Sequence, residues 1–334
     1  MNIGPLKEIR NMYPDVYQVT WIINNICNNA CTYCMPGLFA GKNHGFEWEN
    51  GKRFVEYILN TKKSSHWSIS GGEPTMSPFF TELTKMIYDS GNTVGFTTNG
   101  VRSIRYFNEI AKYVNYISFS WHPEYPEENL MVEKLLTTNL YTQAAIRIMC
   151  PAPKELWDKS MKMIKRVRQN KHIAFESVKI IEYDMGNNEY TPKELFDYSE
   201  EQEAFFNSSD SKGFAIPGTY LNENKVQAKM GAYFHQVDDQ IIDSDEVNAV
   251  SYINQGYADF RGWKCNTGIE ACFIHHDGTI QTANCANDEK IGHINELEKI
   301  KWPQKPTLCR IKTCSCSTDV NLSKISPNTP RILI

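Results

Sequence analysis

The sequence predicts an α/β fold built on a mostly parallel sheet, and three observations predict it. Strand-like and helix-like segments alternate through the first 185 residues, the pattern of consecutive βαβ crossovers. Several of these strands end in short motifs rich in Gly, Asn, Ser or Cys, and in parallel sheets such ends gather on one functional rim. From Lys264 onward the alternation is replaced by a compact α+β region holding Cys265, Cys272, Cys285, Cys309, Cys314 and Cys316.

The elements follow from local chemistry. Residues 17–26 are rich in β-branched and aromatic types and read as the first strand. Residues 48–62 place Phe54, Val55, Tyr57 and Ile58 at helical spacing. A short strand at 66–70 stops at Gly71-Gly72, and a helix is expected over 77–89 with Ser77 as N-cap and Pro78 at the first helical position. The alternation repeats with strands at 93–97, 116–120, 144–149 and 177–183, and helices at 104–113, 127–137 and 154–169. Thr191-Pro192-Lys193-Glu194 has the form of a capping box and predicts a helix to about residue 206. Residues 208–260 show only weak strand alternation, at 247–257. Asp277-Gly278 supplies the positive φ values of a hairpin turn, with His275 and His276 expected as exposed turn residues.

Composition narrows the function classes. A chain of 334 residues with 41% hydrophobic and 22% charged residues fits one large domain plus a smaller one. A net charge of −4 gives no footprint for nucleic acid. The densest basic stretch, Lys159 to Lys171, interleaves Met161, Ile164 and Val167 and reads as the solvated face of a helix. No segment has the ~18 consecutive apolar residues of a membrane helix, and Met1 to Gln18 lacks a signal-peptide pattern. A cytoplasmic location is expected, where ten cysteines point to metal or cluster ligation.

Cys27, Cys31 and Cys34 form C-x3-C-x2-C directly after the first strand. Zinc sites normally close with four ligands, often in paired arms, so this spacing suits zinc poorly. Three thiolates on a 4Fe–4S cluster would leave one iron open to chemistry. Gly71-Gly72-Glu73-Pro74 follows the second strand, where two glycines admit a ligand close to the backbone and Glu73 offers an acceptor for an ammonium group. Thr97-Thr98-Asn99-Gly100 ends the third strand. Ser118 and Ser120 share a strand face, with His122 and Arg147 as further candidates.

In this order the three motifs resemble those of the radical S-adenosylmethionine (SAM) superfamily, over about residues 17–184. The resemblance implies a partial (β/α)6 barrel, with Cys27, Cys31 and Cys34 holding three irons and SAM chelating the fourth. It places Gly71, Gly72, Glu73 and Pro74 at the methionyl amine, and Asn99 and Ser118 near the ribose and carboxylate, with Ser120, His122 and Arg147 as the further candidates and Arg147 able to pair with the carboxylate. Tyr33 would pack against the adenine. Cys265-x6-Cys272, the hairpin and Cys285 resemble the entry of SPASM and twitch domains, which implies an auxiliary 4Fe–4S cluster completed by Cys309, Cys314 or Cys316. A zinc knuckle from the same cysteines is the competing structural reading. Cys150, before Pro151, is expected as a core thiol.

The expected organisation is an N-terminal extension at 1–16 and the radical SAM core at 17–185. A bridging region at 186–260, the auxiliary-cluster domain at 261–320 and a loosely packed tail at 321–334 complete it. The resemblance implies an enzyme in which a 5′-deoxyadenosyl radical abstracts hydrogen from a C–H bond. The substrate would be a sugar- or aminocyclitol-like small molecule or a short peptide, and a donor such as flavodoxin or ferredoxin would supply electrons. The auxiliary cluster would aid net oxidation or position substrate. A first strand beginning near Tyr17 leaves no room for a leader-peptide-binding domain before it, which favours a substrate bound directly. Glu182, Tyr183 and Asp184 are candidate acid, base or hydrogen-bonding groups. The alternatives are a maturase forming thioethers or epimerised residues, and a non-catalytic iron–sulfur electron-transfer protein.

Overall fold

The computed structural model describes residues 5–34, 36–39, 41, 45–125, 127–170, 173–184, 191–211, 231–237, 240–243, 249–254, 257–285, 290–311, 314 and 316–327. The first half runs β1 (Leu6–Asn11), β2 (Val16–Ile22), α1 (Trp48–Thr61), β3 (Ser64–Ser70), α2 (Phe80–Asp89), β4 (Thr93–Thr98), α3 (Ile104–Ile110), β5 (Tyr116–Trp121), α4 (Glu128–Thr138), β6 (Gln143–Cys150), α5 (Lys154–Arg168) and β7 (Ala174–Lys179). The second runs β8 (Ile181–Asp184), β9 (Thr191–Glu194), α6 (Glu200–Asn207), β10 (Gly231–Val237), β11 (Gln240–Asp243), α7 (Ala249–Asn254), β12 (Lys264–Cys265), β13 (Ala271–Ile274), β14 (Thr279–Gln281), β15 (Gly292–His293), β16 (Thr307–Leu308), α8 (Ser317–Val320) and β17 (Lys324–Ile325).

Strands β2 to β7 lie side by side in chain order, each parallel to the next, as the alternation predicts. The sheet continues past β2: β13 pairs parallel to it, with Ala271 opposite Gln18 and Ile274 opposite Trp21, and β14 and β15 follow antiparallel. The cysteine-rich region thus shares a sheet with the first half. A second sheet runs in the order β11-β10-β1-β17-β12-β16, so the expected N-terminal extension contributes β1 to it. Residues 321–327, expected in a loose tail, are well packed: Leu322 and Lys324 are buried and β17 pairs with both β1 and β12.

Alternation sorts the two faces of the parallel sheet. Trp21, Trp67, Ile69, Val94, Phe96, Ile117, Phe119, Ile146 and Ile148 join one core with Phe54, Leu83, Phe107, Leu135 and Met163 from α1 to α5. Burial of such large side chains contributes roughly 1.5–3 kcal/mol each. The other face is polar and carries His66, Ser68, Tyr116, Ser118, Ser120, Arg147 and Glu176. Gly95 faces Tyr116 in register. A Cβ at Gly95 would fall 1.9 Å from the Tyr116 ring, so this glycine makes room for the ring on the inner face. The basic face of α5 is solvated as expected, with Lys154–Asp158 and Lys159–Glu155 pairs along it and Lys162 reaching Glu128 of α4.

Three expectations are corrected. The helix predicted from Thr191 is strand β9 at that point, paired antiparallel with β8. The cap that operates is Ser199 with Gln202, which starts α6, because two S/T-x-x-E/Q patterns lie within a dozen residues and only the second leads into apolar Phe205 and Phe206. Helix α2 begins at Phe80, since Pro74–Met76 first makes a 3-10 turn that ends at Ser77. The weak alternation at 247–257 gives a helix, α7, which buries Ala249 and Tyr252 beside Tyr233. Cys150 lies in the core as expected. Among the described residues no helix is long and apolar enough to cross a membrane.

His66 is wholly buried on the inner face, hydrogen-bonded at Nδ1 to Thr93 Oγ1 (2.6 Å) and stacked on Tyr116. Burial lowers its pKa from 6.5 to about 3. Between those values the unfolded chain binds a proton that the folded chain refuses, so His66 stabilises the fold above pH 6.5 and progressively less as pH falls toward 3. Urea titrations at pH 7 and pH 5 should therefore show lower stability at pH 5, with His66 contributing at most about 1.4 kcal/mol per pH unit. In His66→Gln that share of the pH dependence should vanish; an unchanged slope would place the sensitivity in another group.

Candidate functional site

The C-terminal ends of β2, β3, β4 and β5 converge around the loop carrying Cys27, Cys31 and Cys34. All three are free thiols, Cys31 buried and the other two half-buried. Cys31 is pushed up to about 12 by burial first, then by Glu124, Cys34 and Cys27. Cys27 is raised by burial, while the Asn29 amide (3.4 Å) and Asn99 Nδ2 (3.5 Å) reach its sulfur. Donors aimed at a sulfur favour its ionised form.

Backbone hydrogen bonds dock the loop on GGEP. The Gly72 amide donates to Asn24 O (3.0 Å) and the Glu73 amide to Ile26 O (2.7 Å). A Cβ on Gly72 would lie 2.4 Å from both Ile26 O and Leu38 O, so only glycine lets these segments cross. With their amides committed, an ammonium group at this corner would be met by carbonyl oxygens, which suits a donor.

Glu73 is not the rim acceptor the sequence predicts. It is fully buried, and Oε1 accepts from Thr75 N (3.0 Å), Thr75 Oγ1 (2.6 Å) and Thr98 Oγ1 (2.8 Å). Its Oε2 accepts from Asn99 N (2.7 Å). Burial raises its pKa, and the Thr75, Asn99 and Thr98 donors oppose that shift. The carboxylate therefore ties the ends of β3 and β4 together. Arg102 adds two bonds to Thr75 O (2.7 and 3.1 Å), and buried Lys134 donates to Gly100 O. Asn99 Nδ2 also reaches Asn28 Oδ1 (2.9 Å), joining this corner to the cysteine loop.

The far side of the loop is clasped by the segment after β5. His122 Nδ1 lies 3.4 Å from Cys31 Sγ and 3.0 Å from the Tyr33 hydroxyl, with the two rings stacked. Burial lowers His122 to about 4, keeping it neutral at pH 7. Glu124 accepts from the Thr32 amide and hydroxyl, and the Tyr125 hydroxyl accepts from the Ala30 amide (2.9 Å). Glu124 and Tyr125 hold the cysteine loop, contacts the sequence reading missed; the only signal was the polar run His122 to Tyr125 at a strand end.

The remaining candidates sit on the inner face. Ser118 Oγ is buried with no hydrogen-bond partner among the described residues, an orphaned hydroxyl that a bound ligand would satisfy. Ser120, also buried, pairs in register with Arg147. Arg147 is half-exposed and meets Glu176 at 3.4 Å. Pro74 is buried and opens the 3-10 turn. The side chains of Glu182, Tyr183 and Asp184 lie outside the described residues.

The C-terminal thiols divide. Cys285, Cys309 and Cys314 share a second core with Tyr233, Tyr252 and Phe260, while Cys265 is buried in a small cluster with Ala271 and Leu322. Cys314 is raised by burial and lies close enough to Cys265 and Cys316 to interact with their charge. Cys309, pushed up to about 11 by burial, is likewise close to Cys265. Cys272 is elsewhere: strand alternation turns it into the helix-side core, hydrogen-bonded with Tyr17. The Cys265-x6-Cys272 spacing thus spans two sheets, and the expected pairing of these thiols in one site is corrected. In the hairpin His275 and His276 are half-buried, not exposed, and His275 Nε2 meets Gln281 Oε1 at 2.7 Å. Among the described residues no group of three or more His, Cys, Asp or Glu side chains is arranged to hold a single metal ion. Thiolates of an iron–sulfur cubane sit on separate irons and need not converge on one point.

Residues 21–181 match the family model of the Radical SAM superfamily. Among curated proteins, the GTP 3',8-cyclase of Photorhabdus laumondii is 32% identical over 100 residues, covering 29% of this chain and 30% of that protein. That of Edwardsiella ictaluri is 27% identical over 99 residues, covering 27% and 29%. The chain therefore matches less than a third of the length of these relatives. Among solved structures, Streptococcus suis SuiB bound to S-adenosylmethionine aligns with a TM-score of 0.50 at 15% identity, covering 84% of this chain and 64% of that one. A tagged form of anSMEcpe with bound AdoMet aligns with a TM-score of 0.51 at 14% identity, covering 85% and 79%. These likenesses show a shared α/β fold.

Replacing Glu73 by Gln keeps its volume but turns one acceptor into a donor that faces donors. Glu73→Gln should lose about 1–3 kcal/mol in denaturant unfolding. Unaltered stability would mean that the carboxylate does not hold the rim together.

Proposed function

We propose that Cys27, Cys31 and Cys34 hold three irons of a 4Fe–4S cluster whose open iron binds S-adenosylmethionine, and that the protein is a radical SAM enzyme acting on a C–H bond. The observation that carries this reading is a loop of three free thiols docked by GGEP and Asn99 on the rim of the segment that matches the Radical SAM family model. When bound, the cluster and SAM supply a 5′-deoxyadenosyl radical, able to take hydrogen from unactivated carbon.

The chain's own residues fit such a group. Gly72 leaves space where any Cβ would collide, and the unpartnered Ser118 hydroxyl awaits a polar ligand on the inner face. Asn99 and Asn29 aim N–H groups at Cys27, and His122 reaches Cys31. Tyr33 lies on His122 beside the loop, in place to pack against a purine. Arg147 would bind a carboxylate by exchanging its pairing with Glu176.

A second iron–sulfur cluster at Cys265, Cys285, Cys309 and Cys314, with Cys316 adjacent, belongs to the same reading in place of a set containing Cys272. It would serve net oxidation of substrate or its positioning, in a SPASM- or twitch-like region. The substrate class is a sugar- or aminocyclitol-like small molecule or a short peptide, and a flavodoxin- or ferredoxin-type donor supplies electrons in the cytoplasm. A maturase installing thioethers or epimerised residues falls within the same chemistry.

Anaerobic reconstitution with iron and sulfide, followed by SAM and dithionite, should yield 5′-deoxyadenosine. A fully iron-loaded protein that forms none is instead an iron–sulfur electron carrier. The Cys27→Ala, Cys31→Ala, Cys34→Ala triple variant should make no 5′-deoxyadenosine yet retain about four irons in the auxiliary cluster. Bound zinc without iron in that variant would favour a zinc knuckle.

A further inference from the structure

Nothing in the sequence hints at a role for Lys324, which lies near the C-terminus among small polar residues. In the structure it is 3% exposed and sits mid-sheet, facing Cys265 across one strand pair and Ile9 across the other. Its ammonium donates to the carbonyls of Asp319, Val320 (3.2 Å) and Leu322 (3.2 Å) at the end of α8, and stands 5.3 Å over the Phe260 ring.

Burying an ammonium among neutral groups is costly unless negative charge lies nearby. Three carbonyls and an aromatic face meet only part of that need. Asp319 is close, but its Oδ2 accepts the Cys285 amide at 3.0 Å, and the bond Lys324 makes to this residue is to its backbone carbonyl. The other groups around the ammonium are thiols: Cys265 stands opposite Lys324 in register, and Cys314 and Cys285 lie near enough, like Asp319, to interact with its charge. Neutral thiols supply little of that negative charge. A cubane bound by four thiolates carries net negative charge and would supply it.

We propose that Lys324 is the fixed counter-cation of the C-terminal thiol site, a positioning residue that makes the auxiliary cluster there easier to reduce. The proposal rests on the auxiliary-cluster reading at Cys265, Cys285, Cys309 and Cys314. A cation locked beside a cluster stabilises its more negative, reduced state, as net charge and hydrogen bonding do at iron–sulfur centres generally. The backbone acceptors matter because they hold the ammonium in one place. A flexible surface lysine would be screened by water and would shift nothing.

The test uses the Cys27→Ala, Cys31→Ala, Cys34→Ala background of the full chain, so that the auxiliary cluster alone is observed. Lys324→Met and Lys324→Gln remove the charge, and Lys324→Arg retains it. In redox titrations followed by optical absorption and EPR, both neutral variants should keep their iron and sulfide. Their midpoints should move to more negative potential, with the oxidised-to-reduced ratio at a fixed potential rising about tenfold. Lys324→Arg should stay near the parent. Neutral variants that fail to load iron, where Lys324→Arg loads it, would support the same requirement for charge. A loaded cluster whose potential is the same in all three variants reduces Lys324 to a helix cap and overturns the proposal alone. A background that binds zinc, or no metal, overturns the auxiliary-cluster reading and the proposal with it.

Discussion

The buried carboxylate of Glu73 is the interaction on which the rim depends. It draws four donors from Thr75, Thr98 and Asn99 onto two oxygens, and an ionised acceptor makes each of those bonds stronger than a neutral one would be. This fixes the end of β3 against the end of β4. The next amides along the same turn, from Gly72 and Glu73, grip the cysteine loop through Asn24 and Ile26. Three segments far apart in sequence thus become one unit. Desolvation makes the arrangement unforgiving, because each donor lost leaves the buried charge less fully paired. A site that must hold reactive chemistry in one geometry benefits from such rigidity.

The parallel sheet separates stability from function by its two faces. One face packs tryptophans, phenylalanines and isoleucines against α1 to α5. The other carries hydroxyls, His66, Tyr116 and the Arg147–Glu176 pair. The Tyr116 ring, seated over Gly95 and stacked on His66, takes up space on the inner face, while its hydroxyl meets Ser68 at 3.1 Å. The polar face is therefore satisfied internally around His66, and the orphaned Ser118 hydroxyl lies one alternation step further along β5, nearer the rim. The gradient from satisfied to unsatisfied groups points to where a ligand belongs.

Much of this was legible in the sequence. All six parallel strands and the five helices that join them were placed within a few residues, because period-2 and period-3.6 patterns with glycine stops are local signals. The grouping of Cys27 to Cys34, Gly71 to Pro74 and Asn99 on one rim followed from topology alone. Long-range facts were not legible. That β1 and β17 share a sheet, and that β13 adds to the edge of β2, depends on pairing between residues hundreds of positions apart. Cys272 shows the cost: its spacing from Cys265 looks like a ligand pair, yet one strand's alternation turns it into another core. Glu73 was misread for a related reason. A carboxylate after two glycines looks exposed until the donors that enclose it are known.

The order of the strands gives the two thiol sites a common frame. The chain passes from β1, in the sheet that holds Lys324 and Cys265, into β2, whose end carries Cys27. On its outer edge β2 also receives β13, which leads through the hairpin to Cys285. One stretch of backbone, from Leu6 to Ile22, is therefore hydrogen-bonded into both sheets, and its neighbours supply thiols to both sites. With no flexible linker between β1 and β2 beyond a four-residue turn, the sites cannot drift apart without breaking sheet hydrogen bonds. Electron exchange and the holding of a substrate between two centres both demand a fixed separation. The fold supplies it through strand pairing, so two clusters bound at these thiols as proposed would be held at a separation set by the sheets rather than by a linker.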